Sequence, residues 1–267
     1  MTLTPAIHHY DRWVSTPNGR LFTRTWEPDR IRSEVPILLF HDSLGCVDLW
    51  RNFPEALCAA TRQRVIAYDR LGFGRSDASS IPLPLSFIDD EARGNFAAIC
   101  HALQVTRFIA LGHSVGGCMA VHCAGYYFSQ CQGLVTIAAQ AFNENRTQQG
   151  IEEAKATFQT PEQFAKLVKY HGNKARWVFD AWTDTWLSPE FAAWSLTPAL
   201  ERVRCPTLVL HGEKDEYGSH RQPERIARYT QGPAHCEMLP GIGHVPHREA
   251  EAVVVEFIRQ FIFRLDD

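Results

Sequence analysis

The chain has 267 residues, enough for one large domain or for a core domain that carries an insertion. Its net charge of −3 provides no basic surface for nucleic acid, and it contains no apolar run of the roughly 18 residues that a membrane span needs. Residues 1–8 also lack the pattern of a secretion signal. We therefore expect a cytoplasmic protein that binds neither nucleic acid nor membranes. Its eight cysteines include no Cys-x-x-Cys pair and are expected to be reduced, buried thiols.

The apolar pattern predicts strands and helices in alternation. Residues 8–28 alternate in polarity around Thr16-Pro-Asn-Gly19, which predicts an antiparallel hairpin. Buried strands are expected near residues 35–41, 64–69, 106–112, 133–139, 206–212 and 235–239. Helices are expected near residues 50–61, 88–104, 115–128, 222–230 and 248–264. This order indicates an α/β fold with a mostly parallel sheet and helices on both faces.

Residues 141–199 interrupt the alternation with a long stretch of helical character, too long for an ordinary connection. The sequence therefore predicts a core of residues 1–140 and 200–267 and a helical insertion at 141–199. Phe179, Trp182 and Trp186 fall on one helical face of this insertion. Packing is the more common role of such aromatic faces and contact with a ligand the alternative, and the two are compatible because the underside of a cap is also the roof of a pocket.

A serine between glycines follows the strand expected at 106–112. The pentapeptide Gly112-His-Ser114-Val-Gly116 precedes a helical stretch, and a serine on a sharp strand-to-helix turn is typical of a nucleophile. Larger side chains at positions 112 and 116 would crowd such a turn. A serine hydroxyl needs a base to take its proton and an acid to orient that base.

Candidates for both partners follow later in the chain. Asp215 comes after the strand expected at 206–212, and His244 lies in a glycine-flanked loop after the last expected strand. Glu216, beside Asp215, is the rival acid. His244 and His247 have the spacing of a metal-binding pair without a third ligand nearby, so we expect no metal and no cofactor.

The chain order Ser114, Asp215, His244 resembles that of the α/β-hydrolase family, and the resemblance covers nearly the whole chain. It implies an α/β-hydrolase fold with a small helical cap at residues 141–199. It also implies that Ser114 is the nucleophile, His244 the general base and acid, and Asp215 the orienting acid.

Two further segments carry the resemblance. His41-Asp-Ser-Leu-Gly45 resembles the oxyanion loop of the family and implies that the backbone amides of Ser43 and Val115 are the donors. Asp42 occupies a glycine position of that loop, and aspartate tolerates positive φ there better than most residues do. Residues 69–76 resemble the D-x-x-G-x-G-x-S turn of the family, which we interpret as structural.

These residues favour a serine hydrolase that cleaves a small ester, lactone or related carbonyl substrate through an acyl-enzyme on Ser114. The segment Asp42-Ser-Leu-Gly45, with Trp50 following, is similar to 3-oxoadipate enol-lactonases and implies lactone or enol-ester substrates. The candidate pocket residues are His113, Trp50, Trp182 and Trp186.

Other functions fit the same motifs. A carbon–carbon bond hydrolase, a perhydrolase and a cofactor-free dioxygenase are alternatives on this fold, and a non-catalytic small-molecule receptor is a third hypothesis. The expected partner is a small-molecule substrate, and the sequence leaves a homo-oligomer open.

Overall fold

An eight-stranded sheet runs through the computed structural model, which describes residues 6–265. Residues 1–5 and 266–267, at the two ends of the expected core, lie outside the described residues. The strands are β1 (Ile7–Thr16), β2 (Gly19–Pro28), β3 (Ser33–Phe40), β4 (Gln63–Tyr68), β5 (Phe108–His113), β6 (Cys131–Ile137), β7 (Thr207–Gly212) and β8 (Ala234–Leu239).

Helices follow most of these strands. They are α1 (Phe53–Thr61), α2 (Phe87–Arg93), α3 (Asn95–Ala102), α4 (Val115–Tyr126), α5 (Asn145–Thr157), α6 (Pro161–His171), α7 (Ala175–Trp186), α8 (Thr197–Leu200), α9 (Arg221–Tyr229), α10 (Pro246–Glu249) and α11 (Glu251–Phe263). The helix expected near residues 88–104 is divided at Gly94, which lies between α2 and α3. None of the helices in residues 6–265 is long and apolar enough to span a membrane.

The strand order is β1-β2-β4-β3-β5-β6-β7-β8. The pairs β1/β2 and β2/β4 are antiparallel, as the predicted hairpin requires, and the other pairs are parallel. The carboxyl ends of the parallel strands therefore meet at one edge of the sheet. In open α/β sheets this edge is where ligands bind.

The core lies on both faces of the sheet. Alternate residues of β3 show the division: Leu38 and Phe40 join the cluster under α2, α3 and α4, whereas Ile37 and Leu39 join the cluster under α1 and α11. Burial on both faces explains why the parallel strands are continuously apolar. The mostly parallel sheet covered by helices on both faces agrees with the prediction.

The segment between β6 and β7 carries α5, α6, α7 and α8. Trp186 and Phe191 from this segment pack into the main core, whereas Leu167, Ala175 and Phe179 form a small cluster of their own. The division into a core and a cap at residues 141–199 stays a prediction.

Candidate active site

Ser114 lies on a strained turn between β5 and α4. Its backbone has φ 54° and ψ −128°, a conformation that is costly for a residue with a side chain and persists only where the surroundings impose it. A Cβ atom at Gly112 would lie 2.1 Å from the Gly116 carbonyl oxygen, and one at Gly116 would lie 2.1 Å from the Phe40 carbonyl oxygen. The two glycines flanking Ser114 are therefore required by close backbone contacts.

Ser114, His244 and Asp215 come together at the carboxyl edge of the sheet. The Nε2 atom of His244 is 3.1 Å from the Oγ atom of Ser114, and the Nδ1 atom of His244 is 2.9 Å from each carboxylate oxygen of Asp215. A carboxylate accepts only, so His244 donates from Nδ1 and presents an unprotonated Nε2 to the serine hydroxyl. This hydrogen-bonding order matches that of a serine nucleophile, its base and the orienting acid.

Burial and charge shift the titration of this pair. Burial raises the pKa of Asp215, but His244, His211 and the Tyr217 amide together outweigh it and the net pKa is lowered. Burial lowers the pKa of His244, but the carboxylates of Asp215, Glu216 and Asp42 together outweigh it and the net pKa is raised. Asp215 also accepts hydrogen bonds from the backbone amides of Tyr217 (2.8 Å) and Gly218 (3.1 Å), which fix its carboxylate.

Glu216, the rival acid, contacts a different part of His244. Its carboxylate accepts from the backbone amide of His244 at 3.2 Å, whereas Asp215 binds the imidazole ring. His113 supports the same residue, because its Nε2 atom donates to the backbone carbonyl of His244 at 2.8 Å. The side chain and both backbone polar groups of His244 are thus all hydrogen-bonded.

The 41–45 loop lies beside Ser114 at the end of β3. Ser43 lines the same cavity as Ser114. Val115 is the first residue of α4, so its backbone amide has no acceptor within the helix. Asp42 does not use the positive φ that aspartate tolerates: within residues 6–265, the non-glycine residues with positive φ are Arg51, Arg62, Gln104, Ser114 and Ala138. The loop turns instead because the Asp42 carboxylate accepts from the backbone amide of Leu44 at 2.9 Å.

A cavity of about 300 Å³ opens above Ser114. The expected residues His113, Trp182 and Trp186 line it, together with residues that no sequence motif marked. From the 141–199 segment, its apolar and aromatic lining residues are Ile151, Phe158, Leu167, Tyr170, Trp182 and Trp186. An apolar residue on a helix is as typical of a core position as of a cavity lining, so sequence periodicity does not distinguish the two.

Trp50 departs from its predicted position. It is absent from the cavity lining and only 3% exposed, with its indole ring against Phe53 and His247 at centroid distances of 5.7 and 4.8 Å. His247 is buried in the same aromatic group, and this burial holds its pKa well below the ordinary value. Among the described residues there is no group of three His, Cys, Asp or Glu side chains that could hold a metal ion.

A model of the alpha/beta hydrolase family matches residues 37–257. The chain therefore belongs to the α/β-hydrolase family, and the resemblance read from the sequence is confirmed.

Individual relatives are more distant. A (lyso)-N-acylphosphatidylethanolamine lipase of Bos taurus is 30% identical over 132 residues, which cover 49% of this chain and 38% of the lipase. The chain thus matches well under half the length of that relative.

Solved structures agree on the fold. The crystal structure of a proline iminopeptidase from Mycobacterium smegmatis superposes with a TM-score of 0.79 at 20% identity, covering 96% of this chain and 99% of that one. An enol-lactonase from Burkholderia xenovorans gives a TM-score of 0.72 at 18% identity, covering 94% of this chain and 100% of that one. The predicted α/β-hydrolase fold is confirmed.

Because the backbone around Ser114 is crowded, a Gly→Ala substitution beside it should lower the free energy of unfolding more than one at an open position. Gly116→Ala would force the Phe40 carbonyl away and should lower the free energy of unfolding by about 1–3 kcal/mol. Gly241→Ala is the matched control, since it has positive φ (73°) but no atom within 4 Å of the added Cβ. Chemical denaturation measures both variants. A smaller loss in Gly116→Ala than in Gly241→Ala would contradict the close contact.

Proposed function

We propose that this protein is a serine hydrolase that cleaves a small ester, lactone or related carbonyl substrate through an acyl-enzyme on Ser114. One observation carries the proposal: the hydrogen-bonded series Ser114, His244, Asp215 faces a largely apolar cavity. Each residue alone has ordinary structural uses, but the three in this order and at these distances form the constellation of acyl-transfer enzymes.

The chemistry follows from the hydrogen bonds. His244 Nε2 takes the hydroxyl proton as Ser114 Oγ attacks the substrate carbonyl, while Asp215 holds the Nδ1–H tautomer and stabilises the imidazolium. The backbone amides of Ser43 and Val115 donate to the oxyanion, and each such donor contributes roughly 3–4 kcal/mol. His244 then protonates the leaving group and activates the water that releases the acid.

The cavity supports a substrate with an apolar portion. Its roof residues Trp182, Phe158 and Ile151 offer apolar surface, and its volume of about 300 Å³ suits a small acyl or lactone group. The similarity of the Asp42-Ser-Leu-Gly45 segment to enol-lactonase loops favours lactones or enol esters within this class. The relatives named as a lipase and an enol-lactonase are compatible with it.

A fluorophosphonate probe tests the nucleophile. The probe is expected to label Ser114, because the hydroxyl is activated by His244 at 3.1 Å, and peptide mapping by mass spectrometry identifies the site. Labelling should disappear in Ser114→Ala. Labelling of another serine, or labelling that survives this substitution, contradicts the proposal.

Turnover must be measured beside labelling, because a receptor with the same residues would also react. A panel of nitrophenyl esters, thioesters and lactones is expected to contain a substrate with multiple turnovers that Ser114→Ala abolishes. Labelling without turnover on the whole panel would favour a non-catalytic receptor.

Asp215 and Glu216 differ in their contacts with His244, and their variants should differ in activity. Asp215→Asn is expected to lower kcat by roughly 10⁴-fold, as in the best-studied triad, whereas Glu216→Gln should change it little. Because the Asp215 carboxylate raises the pKa of His244, and the base must be neutral, the loss of activity on the acid side should move to lower pH in Asp215→Asn. The pH dependence of kcat/KM for both variants measures this. The opposite ranking would assign the acid role to Glu216.

The two tryptophans of α7 that line the cavity differ in packing. Trp186 is 2% exposed and packs against Phe191 and Trp194, so Trp186→Ala is expected to lower the free energy of unfolding by roughly 3–5 kcal/mol. Trp182 is partly exposed and contacts Tyr217, which in turn contacts His244. Trp182→Ala should raise KM for long acyl esters and leave acetyl esters nearly unchanged. If neither variant changes the preference for acyl chain length, these tryptophans do not contact the substrate.

A further inference from the structure

The 69–76 turn has a surface shaped by two glycines with positive φ, Gly72 (87°) and Gly74 (47°). A Cβ atom at Gly72 would lie 2.3 Å from the indole ring of Trp177, which comes from α7. A Cβ atom at Gly74 would lie 2.2 Å from the carboxylate of Asp69. Gly72 thus leaves room for Trp177 of the 141–199 segment, whereas Gly74 leaves room for the carboxylate of Asp69 in the turn itself. The proposed chemistry makes no use of this turn.

His171, the last residue of α6, joins this turn to the 41–45 loop. Its Nδ1 atom is 2.9 Å from the backbone amide of Gly74, and its Nε2 atom is 3.0 Å from the backbone carbonyl of Leu44. An amide only donates and a carbonyl only accepts, so the ring is neutral and carries its proton on Nε2. The side chain is 2% exposed, so no solvent replaces either bond.

The turn and the loop are also linked from the core side. Arg70 donates from its guanidinium to the backbone carbonyl of Asp42 at 2.8 Å, and its backbone amide donates to His41 Nε2 at 3.2 Å. Arg70 therefore holds the peptide group between Asp42 and Ser43, which carries the Ser43 amide. His171 holds the carbonyl of Leu44, so the loop is supported on both sides of Ser43.

We propose that His171 is a positioning residue that fixes the 41–45 loop, and with it the Ser43 amide, by binding Leu44 and Gly74 at the same time. The same side chain then attaches α6 to the 69–76 turn and sets the position of the Ser43 amide. The inference rests on the proposed function only in assigning the Ser43 amide to the oxyanion. The structural coupling between His171 and Ser43 holds whatever the protein's activity.

The link requires a neutral ring and therefore depends on pH. A proton on Nδ1 would face the Gly74 amide, which is also a donor, and the bond would be lost. Burial, Lys174 and Arg70 lower the pKa of His171, and together they outweigh the Leu44 carbonyl and the Asp42 carboxylate, which raise it. His41 is the other titratable group that the charge of His171 reaches. Its contribution to stability is present above the ordinary histidine pKa and is lost as pH falls below it.

Lys174 is the matched control, because it docks the same segment on the same turn. Its ammonium group donates to the backbone carbonyls of Gly74 at 2.7 Å, Phe73 at 3.4 Å and Ser76. It makes no hydrogen bond to the 41–45 loop among the described residues. Loss of Lys174 should therefore loosen the segment without moving the Ser43 amide.

The first test compares His171→Phe, His171→Gln and Lys174→Met on the best short ester of the panel, with each rate corrected for the folded fraction. His171→Phe is expected to lower kcat about 10- to 100-fold with little change in KM, because a small misplacement of an oxyanion donor affects the transition state more than substrate binding. His171→Gln, which offers one donor and one acceptor, should recover part of the loss. Lys174→Met should stay within about twofold of the wild type.

The proposal is overturned if Lys174→Met loses as much kcat as His171→Phe does. It is also overturned if His171→Phe leaves kcat unchanged or changes only KM.

A second measurement uses the wild-type chain, so it does not depend on whether the variants fold. In a nitrogen-15 NMR titration toward acid pH, the amide resonances of Ser43 and Gly74 are expected to move with the midpoint of the His171 ring. If the Ser43 resonance does not shift at this midpoint, the coupling between His171 and Ser43 is overturned. Because the NMR titration needs no substrate, it tests the coupling even if the panel shows no turnover.

Discussion

The close backbone contact around Ser114 is the constraint on which the rest of the site depends. β5 ends, reverses at a residue with φ 54° and continues as α4, while Gly116 lies against the carbonyl oxygens of Phe40 and His41. Such a turn is costly in itself and persists because the sheet and α4 impose it from both sides. It exposes Ser114 Oγ at the edge of the sheet and at the same time sets the distance between α4 and the 41–45 loop.

Around this turn, hydrogen bonds to backbone groups hold each functional loop. Asp215 is fixed by the amides of Tyr217 and Gly218, and His244 by Glu216 and His113. These side chains act on loops that come from distant parts of the chain and meet only because parallel strands end at one edge. Hydrogen bonds within the chain hold this arrangement, as the proposed acyl-transfer chemistry would require.

The aromatic residues of the 141–199 segment lie both in the core and along the cavity. Trp186 packs into the main core and lines the cavity, so the aromatic face of α7 both attaches the segment and covers the site. A second attachment runs through Trp177, His171 and Lys174 to the 69–76 turn. The turn that resembles a structural motif of the family is therefore the surface on which this segment docks, and Trp177 occupies the space that a side chain at Gly72 would fill.

The sequence by itself determined the sheet, the helices and the candidate residues Ser114, Asp215 and His244, because these depend on local signals: apolar runs, glycines at a tight turn and polar residues at strand ends. It also separated residues 141–199 from the regular alternation. Where local signals were ambiguous, the expectation failed or stayed open. Asp42 turned out to form its loop through a side-chain hydrogen bond and not through positive φ, and Trp50 packs behind His113 instead of lining the cavity.

Only the tertiary structure showed that Asp215 contacts the imidazole ring of His244 and that the adjacent Glu216 contacts its backbone amide. It alone brought Ile151, Phe158 and Tyr170 over Ser114, and His171 between Leu44 and Gly74. The physical reason is that these contacts join segments tens of residues apart. The apolar periodicity of a helix identifies a buried face but carries no information about which distant surface will cover it.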